Sequence, residues 1–185
     1  EARYACKHLG LMAQDEGRQE EAFTLFSRAC YPTQAERGDG EGCLLYGTEL
    51  RANRDRITLN DSPPTLGPPK SGDGIGVETL ASHAYATGCI SRWEASCAAN
   101  HSAIDAVLAG VDAAIEVPCA LIGPDGQTLV KRTCRHVRFF ETAELDFGER
   151  ELVASDLYIW PDGDRSLVQE QGGDWRLNGA RSEEH

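Results

Sequence analysis

The chain has 185 residues, 41% of them hydrophobic, which suits one domain or two small ones built around packed cores. A formal net charge of -12 argues against binding a phosphate backbone, which needs basic patches, and leaves neutral or basic partners. No stretch approaches the roughly 18 apolar residues of a membrane-crossing helix.

Residues 1–14 carry Tyr4, Ala5, Leu9, Leu11 and Met12 at helical rather than alternating spacing. Asp15-Glu16-Gly17 breaks the run. From Arg18 to Cys30 a wide apolar face follows (Ala22, Phe23, Leu25, Phe26, Ala29), with Glu20 and Glu21 near the start, where the helix dipole favours acid. Two short helices joined by a glycine turn make an αα-hairpin. A polar loop ending Gly38-Asp39-Gly40 leads to a third helix over Gly42–Leu50. Residues 51–75 then change character, with Asp61-Ser62-Pro63-Pro64, Gly67-Pro68-Pro69 and Ser71-Gly72-Asp73-Gly74. This tract reads as an inserted loop without an element of its own. Helical patterning returns over Val77–Cys89 and from Arg92 to about Val111.

After Ile115 the pattern shifts to strands. Ile115–Ile122 is rich in apolar and β-branched residues and meets the turn signature Gly123-Pro124-Asp125-Gly126. Strands are expected over Thr128–Phe140, Leu152–Trp160, Arg165–Gln169 and around Trp175–Leu177, the second and third of these four separated from the next by Trp160-Pro161-Asp162-Gly163 and Gly172-Gly173. The third part of the chain, 113–180, is therefore expected to be a small antiparallel β module, and 181–185 a frayed tail.

Seven cysteines in a chain of this length point to an oxidising compartment or to metal binding. Their placement repeats. Cys6-Lys7-His8-Leu9-Gly10 aligns with Cys43-Leu44-Leu45-Tyr46-Gly47 at an offset of 37 residues, in the range of helical repeats. Cys30 and Cys89 each close the second helix of a pair. Cys6 to Cys30 is 24 residues and Cys43 to Cys89 is 46; the excess of 22 matches the Pro/Gly-rich tract. His83, Cys89, Cys97 and His101 form an alternative constellation, since Cys97 and His101 share a helix face and Cys/His sets bind zinc. Cys119 and Cys134 lie on successive strands. With the turn centred near Asp125-Gly126 they are not directly opposite, and a bulge or longer loop is needed to bring them together.

With Ala5-Cys6, Leu9-Gly10, Gly17, Ala22, Phe26, Ala29-Cys30, Gly42-Cys43, Tyr46-Gly47 and Cys89 with Cys97, residues 2–110 resemble the cysteine-rich Sel-like repeat proteins, α/α relatives of the tetratricopeptide repeat. The resemblance departs at Asn100-His101, where Leu-Gly is expected, and does not reach the β part. It implies disulfides Cys30–Cys43 and Cys89–Cys97 across the joints between repeats, with Cys6 left as the odd thiol; a third bond, Cys119–Cys134, is a further candidate. It also implies a short disulfide-clipped α/α solenoid over 1–112, so that the fold class is α+β.

Helical repeats present a concave surface lined by the first helix of each pair. Here that surface would include His8, Leu11, Leu45, Thr48 and Glu49. The expected function is non-catalytic recognition of a protein or peptide in an extracytoplasmic compartment (periplasm, cell surface or secreted), with no cofactor and no metal. Two alternatives stand beside it. Relatives implied by the resemblance include hydrolases of cell-wall-related amides, yet no G-x-S-x-G, Walker loop, dinucleotide fingerprint or H-E-x-x-H is present. A structural spacer in an envelope assembly is the other. The Arg37-Gly38-Asp39 triplet and the Asp-Gly loops read as turns, and Tyr158, Trp160 and Trp175 as β core.

Overall fold

The computed structural model describes residues 2–31, 38–59, 61, 64–68, 74–122, 125–171 and 174–178. Part of the Pro/Gly-rich tract, Arg37 of the triplet and the C-terminal tail lie outside these residues. The fold is α+β. Helices α1 (Ala2–Asp15), α2 (Gln19–Cys30) and α3 (Gly40–Ala52) are followed by two short strands, β1 (Ile57–Thr58) and β2 (Thr65–Leu66). Helices α4 (Gly74–Ile90) and α5 (Glu94–Ala109) come next. Five strands complete the chain: β3 (Ile115–Ile122), β4 (Thr128–Glu144), β5 (Arg150–Ile159), β6 (Arg165–Gln171) and β7 (Asp174–Asn178).

Local chemistry explains the helix ends. Asp39 caps α3 by accepting from the Gly42 amide at 2.7 Å. In α2, Glu20 and Glu21 occupy the first turn and Arg28 the last, both matching the dipole. The turn after α1 closes with Gly17 N–H to Gln14 O and Arg18 N–H to Ala13 O, and Gly17 has φ +75°. This is a Schellman arrangement, in which the left-handed position suits glycine. The same two bonds close α4, from Arg92 to Cys89 and from Trp93 to Gly88. There the left-handed residue is Arg92, at φ 64°.

One set of contacts occurs twice. Gly10 lies four residues after Cys6 and packs on Phe26, four before Cys30; Gly47, four after Cys43, packs on Tyr85, four before Cys89. A Cβ at Gly10 would fall 2.6 Å from the Phe26 ring, and one at Gly47 would fall 2.5 Å from the Tyr85 ring. The residues just before the cysteines also pair, Gly42 against Ala29 and Gly88 against Ser96. Small residues let α1 approach α2, and α3 approach α4, closely enough for the aromatic ring to lie on backbone. Gly47→Ala and Gly10→Ala are each expected to cost about 1–3 kcal/mol of stability through overpacking. Urea unfolding would measure both losses, and Tyr85→Leu should restore part of the first but none of the second.

The main core contains Phe23, Phe26, Tyr46, Leu50, Val77 and Tyr85, all buried. Ile57 and Leu66 join it, and this corrects the reading of residues 51–75 as a bare loop. Ile57 pairs with Leu66 and Thr58 with Thr65 in a two-stranded ribbon that lays two apolar side chains on the helices. Helix α4 begins three residues earlier than expected, at Gly74. It is buried on nearly every side, at Val77, Ala81, Ser82, Ala84, Tyr85, Ala86 and Cys89 among others, because helices and sheet both pack on it.

The sheet is an antiparallel meander in the order β3-β4-β5-β6-β7. Val137, Phe139 and Leu157 on one face pack with Val107 of α5 into a second core. Strand β3 pairs with β4 only as far as His136, so among the described residues the outward edge of β4 beyond that residue has no neighbouring strand. Helix α4 runs along it. The Thr79 hydroxyl donates to the Arg138 carbonyl at 2.6 Å, and the Phe140 amide donates to the Ser82 hydroxyl at 3.0 Å. The turn between β4 and β5, which the sequence reading did not mark, carries positive φ at Phe147 (65°) and Gly148 (72°). Paired left-handed residues suit the twist of a tight hairpin.

Candidate functional site

The five residues expected on one concave face differ in their exposure. His8 and Thr48 are exposed, Leu11 and Leu45 are half-buried against the main core, and Glu49 is 8% exposed. Glu49 accepts from Gln14 Nε2 at 2.7 Å and from Asn53 Nδ2 at 3.0 Å. Its carboxylate ties α1 to α3 and is not available to a partner. The Thr48 hydroxyl donates to the Leu44 carbonyl within its own helix. Its place on the first helix of a repeat pair suggested a surface position for Glu49; as a buried acid it is instead satisfied by two amide donors.

The cysteines pair as Cys30–Cys43, Cys89–Cys97 and Cys119–Cys134, and Cys6 is free. The zinc alternative is overturned, because the sulfurs of Cys89 and Cys97 are bonded to each other and His83 bonds to Tyr31. Cys119 lies opposite Arg132 and Cys134 opposite Val117, so the third bond is diagonal. The register does slip, at Leu121/Ile122, without bringing the two into line. Tyr158 stacks on His136 at 4.8 Å, and Trp160 donates its indole N–H to Ser166; the Trp175 side chain lies outside the described residues.

His136 belongs to a polar cluster on the sheet face away from the second core. Asp156, 3% exposed, receives two bonds from Arg138 at 2.8 and 2.7 Å and meets His136 Nε2 at 2.7 Å. Burial alone would raise the Asp156 carboxyl. The hydrogen bonds from Arg138 and His136 outweigh it and hold the group below the usual carboxylate value. With two bonds at Oδ1 and one at Oδ2, the Asp156 carboxylate is committed within the sheet, and the cluster joins β4 to β5.

An apolar groove of about 460 Å³ lies over α4. Gly76, Thr79, Leu80 and His83 form its floor, a stripe at the i, i+3, i+4, i+7 positions of one helix face. Phe140 of β4 makes one wall, Leu59 and Pro64 of the short ribbon the other, and Tyr31 the end. The stripe spans about 10 Å at helical rise. The Tyr31 hydroxyl lies 2.6 Å from His83 Nδ1, and the His83 ring meets Phe140 edge-on at 4.6 Å. Burial pulls the His83 pKa below its ordinary value and pushes the Tyr31 phenol well above its own, so both are neutral near pH 7. The result is an apolar trough with one uncharged polar pair at its end. Among the described residues that line it there is no serine, cysteine or lysine, and the Thr79 hydroxyl is already committed to Arg138. It can hold an apolar group, with the Tyr31–His83 pair beside it.

Neutral burial of His83 carries a pH signature. Its folded pKa lies below the ordinary value of 6.5, so the unfolded chain binds the proton first. Stability is therefore full above about 6.5 and falls as pH drops below it. The melting temperature should decline between about pH 7 and 5, and His83→Phe should flatten that decline relative to the parent.

Sequence reasoning missed this groove. Only Tyr31, in the residue after Cys30, and the apolar spacing within α4 were visible; Leu59, Pro64 and Phe140 reach the site by tertiary packing. Comparison with protein-family models, with curated proteins and with solved structures returned no match.

Proposed function

We propose that this chain is a non-catalytic recognition module, built of Sel-like helix pairs α1–α2 and α3–α4 with α5 opening a third, and that it binds an apolar peptide segment along α4 outside the cytoplasm. The groove carries the reading. Its length matches about three residues of extended peptide at roughly 3.3 Å each. Its walls are aromatic and aliphatic, and its polar pair can orient one main-chain or side-chain group. The doubled glycine–aromatic contact and the matched disulfides at the two joints support the repeat assignment. Three disulfides support an oxidising compartment.

The test is selection from a random displayed-peptide library on the parent protein, with counter-selection on Leu80→Glu. Leu80 is half-buried at the groove floor and packs on the edge of the main core, so a charge there spoils the trough, and thermal unfolding of Leu80→Glu checks that the fold is kept. Enriched peptides with consecutive apolar residues that bind the parent at least tenfold more tightly than Leu80→Glu are the expected result. Peptides that bind both proteins equally, or no enrichment at all, would overturn the groove as the binding site and favour the spacer role.

A further inference from the structure

The three disulfides differ in their surroundings. In Cys30–Cys43 the cysteines are 1% and 0% exposed, and the sulfur contact is to the Cys30 carbonyl. In Cys119–Cys134, Cys134 is 1% exposed and Cys119 is half-buried, so what sets the next bond apart is its charged neighbour. Among the described residues no arginine, lysine or histidine hydrogen-bonds to either pair. Cys89–Cys97 is different. Arg150 Nη1 lies 3.2 Å from Cys97 Sγ and 3.6 Å from Cys89 Sγ. Glu94 holds the same nitrogen at 3.0 Å, and Glu144 lies 3.7 Å from Arg150 Nη2. Cys97 is half-buried and sits in the first turn of α5, where helix dipole and free amides favour negative charge. Arg150 and Glu94 also line a hollow of about 260 Å³, together with Ile90 and Phe147 among others.

Neutral disulfide sulfur is a weak acceptor, so an intact bond gains little from a guanidinium. A thiolate at the same place gains much more. We propose that Cys89–Cys97 is a thiol–disulfide exchange site whose co-reactant is a dithiol. A thiolate of the dithiol attacks Cys97 Sγ, the more accessible sulfur. A bond forms between them, the Cys89–Cys97 bond breaks, and its electron pair leaves on Cys89 Sγ against Arg150. The second thiolate of the dithiol then attacks its own sulfur in the mixed disulfide, and Cys97 leaves as thiolate against the same guanidinium. The dithiol ends as a disulfide, oxidised by two electrons. The two cysteines gain those electrons, and the two protons of the dithiol pass to them or to solvent. A stabilised leaving thiolate leaves faster, and Arg150 supplies that stabilisation at both steps. The site stands independently of the groove, on another end of α4.

The experiment is timed reduction of the folded protein by dithiothreitol at pH 7, with alkylation and peptide mass mapping of all seven cysteines. Cys89 and Cys97 are expected to label before either other pair. Arg150→Gln should slow their opening about tenfold, Arg150→Lys much less, and neither should change the other two bonds. Loss of fold would speed all three openings, so slowing confined to one bond cannot arise from destabilisation. In the reduced protein, the pH dependence of Cys97 alkylation should give a midpoint below the usual thiol value of about 8.5 and rise toward it in Arg150→Gln. The proposal is overturned if another disulfide opens first, if Arg150→Gln leaves the opening rate unchanged or raises it, or if the Cys97 midpoint lies at or above the usual value.

Discussion

Tyr46→Ala is expected to remove about 3–5 kcal/mol of folding free energy, the largest loss from a single substitution in the helical layer. Tyr46 is 0% exposed. Its ring lies 5.2 Å from that of Phe23 and meets Tyr31 edge-on at 5.9 Å. It meets Phe23 within α2 and Tyr31 just past the end of α2, so its loss opens a cavity at the joint between the helix pairs. Neighbouring side chains cannot fill it, because Gly47 and Gly42 alongside are held by ring and methyl contacts. Burial pushes the phenol up to about 12, against the opposing bond from Ser27. That bond separates the two parts of the effect. Tyr46→Phe should cost only about 1 kcal/mol, the net value of one hydrogen bond. Urea unfolding with an unchanged slope and a lower midpoint is the expected readout. A loss under 1 kcal/mol for Tyr46→Ala would mean that the joint repacks and that the helix pairs are more loosely coupled than their contacts suggest.

Replacing Cys30 and Cys43 together by alanine is expected to cost about 3 kcal/mol. The bond closes a separation of 13 residues, against 8 for Cys89–Cys97. Chain entropy alone makes the longer loop the more valuable, by a few tenths of a kcal/mol. Burial adds to the difference. Both cysteines of the first pair lie inside the main core, whereas Cys97 reaches the surface. The paired variants Cys30→Ala/Cys43→Ala and Cys89→Ala/Cys97→Ala, compared by thermal unfolding, should therefore rank in that order. The reverse order would place the stronger clip at the α4–α5 joint.

The periodicity of residues 1–30 and 42–50 was enough to place three helices, since each apolar stripe is local. The β meander was legible for the same reason, through alternation and through turn residues such as Asp162-Gly163. Those signals end where stability comes from distant parts of the chain. Ile57 and Leu66 gain strand geometry only because the helices offer them a surface to cover, and two-residue strands carry no period. Charge in a helix does not mark burial either. Lys7 is 4% exposed, bonded to Glu41 at 2.7 Å, and so fastens α1 to the start of α3. The partners in Cys30–Cys43 and Cys89–Cys97 came from a family resemblance and not from spacing, and Cys119–Cys134 from the place of both cysteines on successive strands. The groove and the Arg150 contact were invisible for a simpler reason. Each joins residues more than fifty positions apart, and no local pattern records such a meeting.

The hydroxyls of Thr79 and Ser82 sit where a further strand would otherwise pair with β4. A helix here does the hydrogen bonding of a strand, while its other sides complete the helical core. This couples the two layers in manufacture as well as in shape. Chain cut between α5 and β3 would leave the Arg138 carbonyl and the Phe140 amide on a bare edge, a template for other copies. The helical piece would keep two hydroxyls and an apolar flank with nothing to meet. During synthesis α4 emerges well before β4, so its final seat is completed late, when the last third of the chain arrives. Grafting this sheet onto another scaffold would therefore require carrying α4 with it.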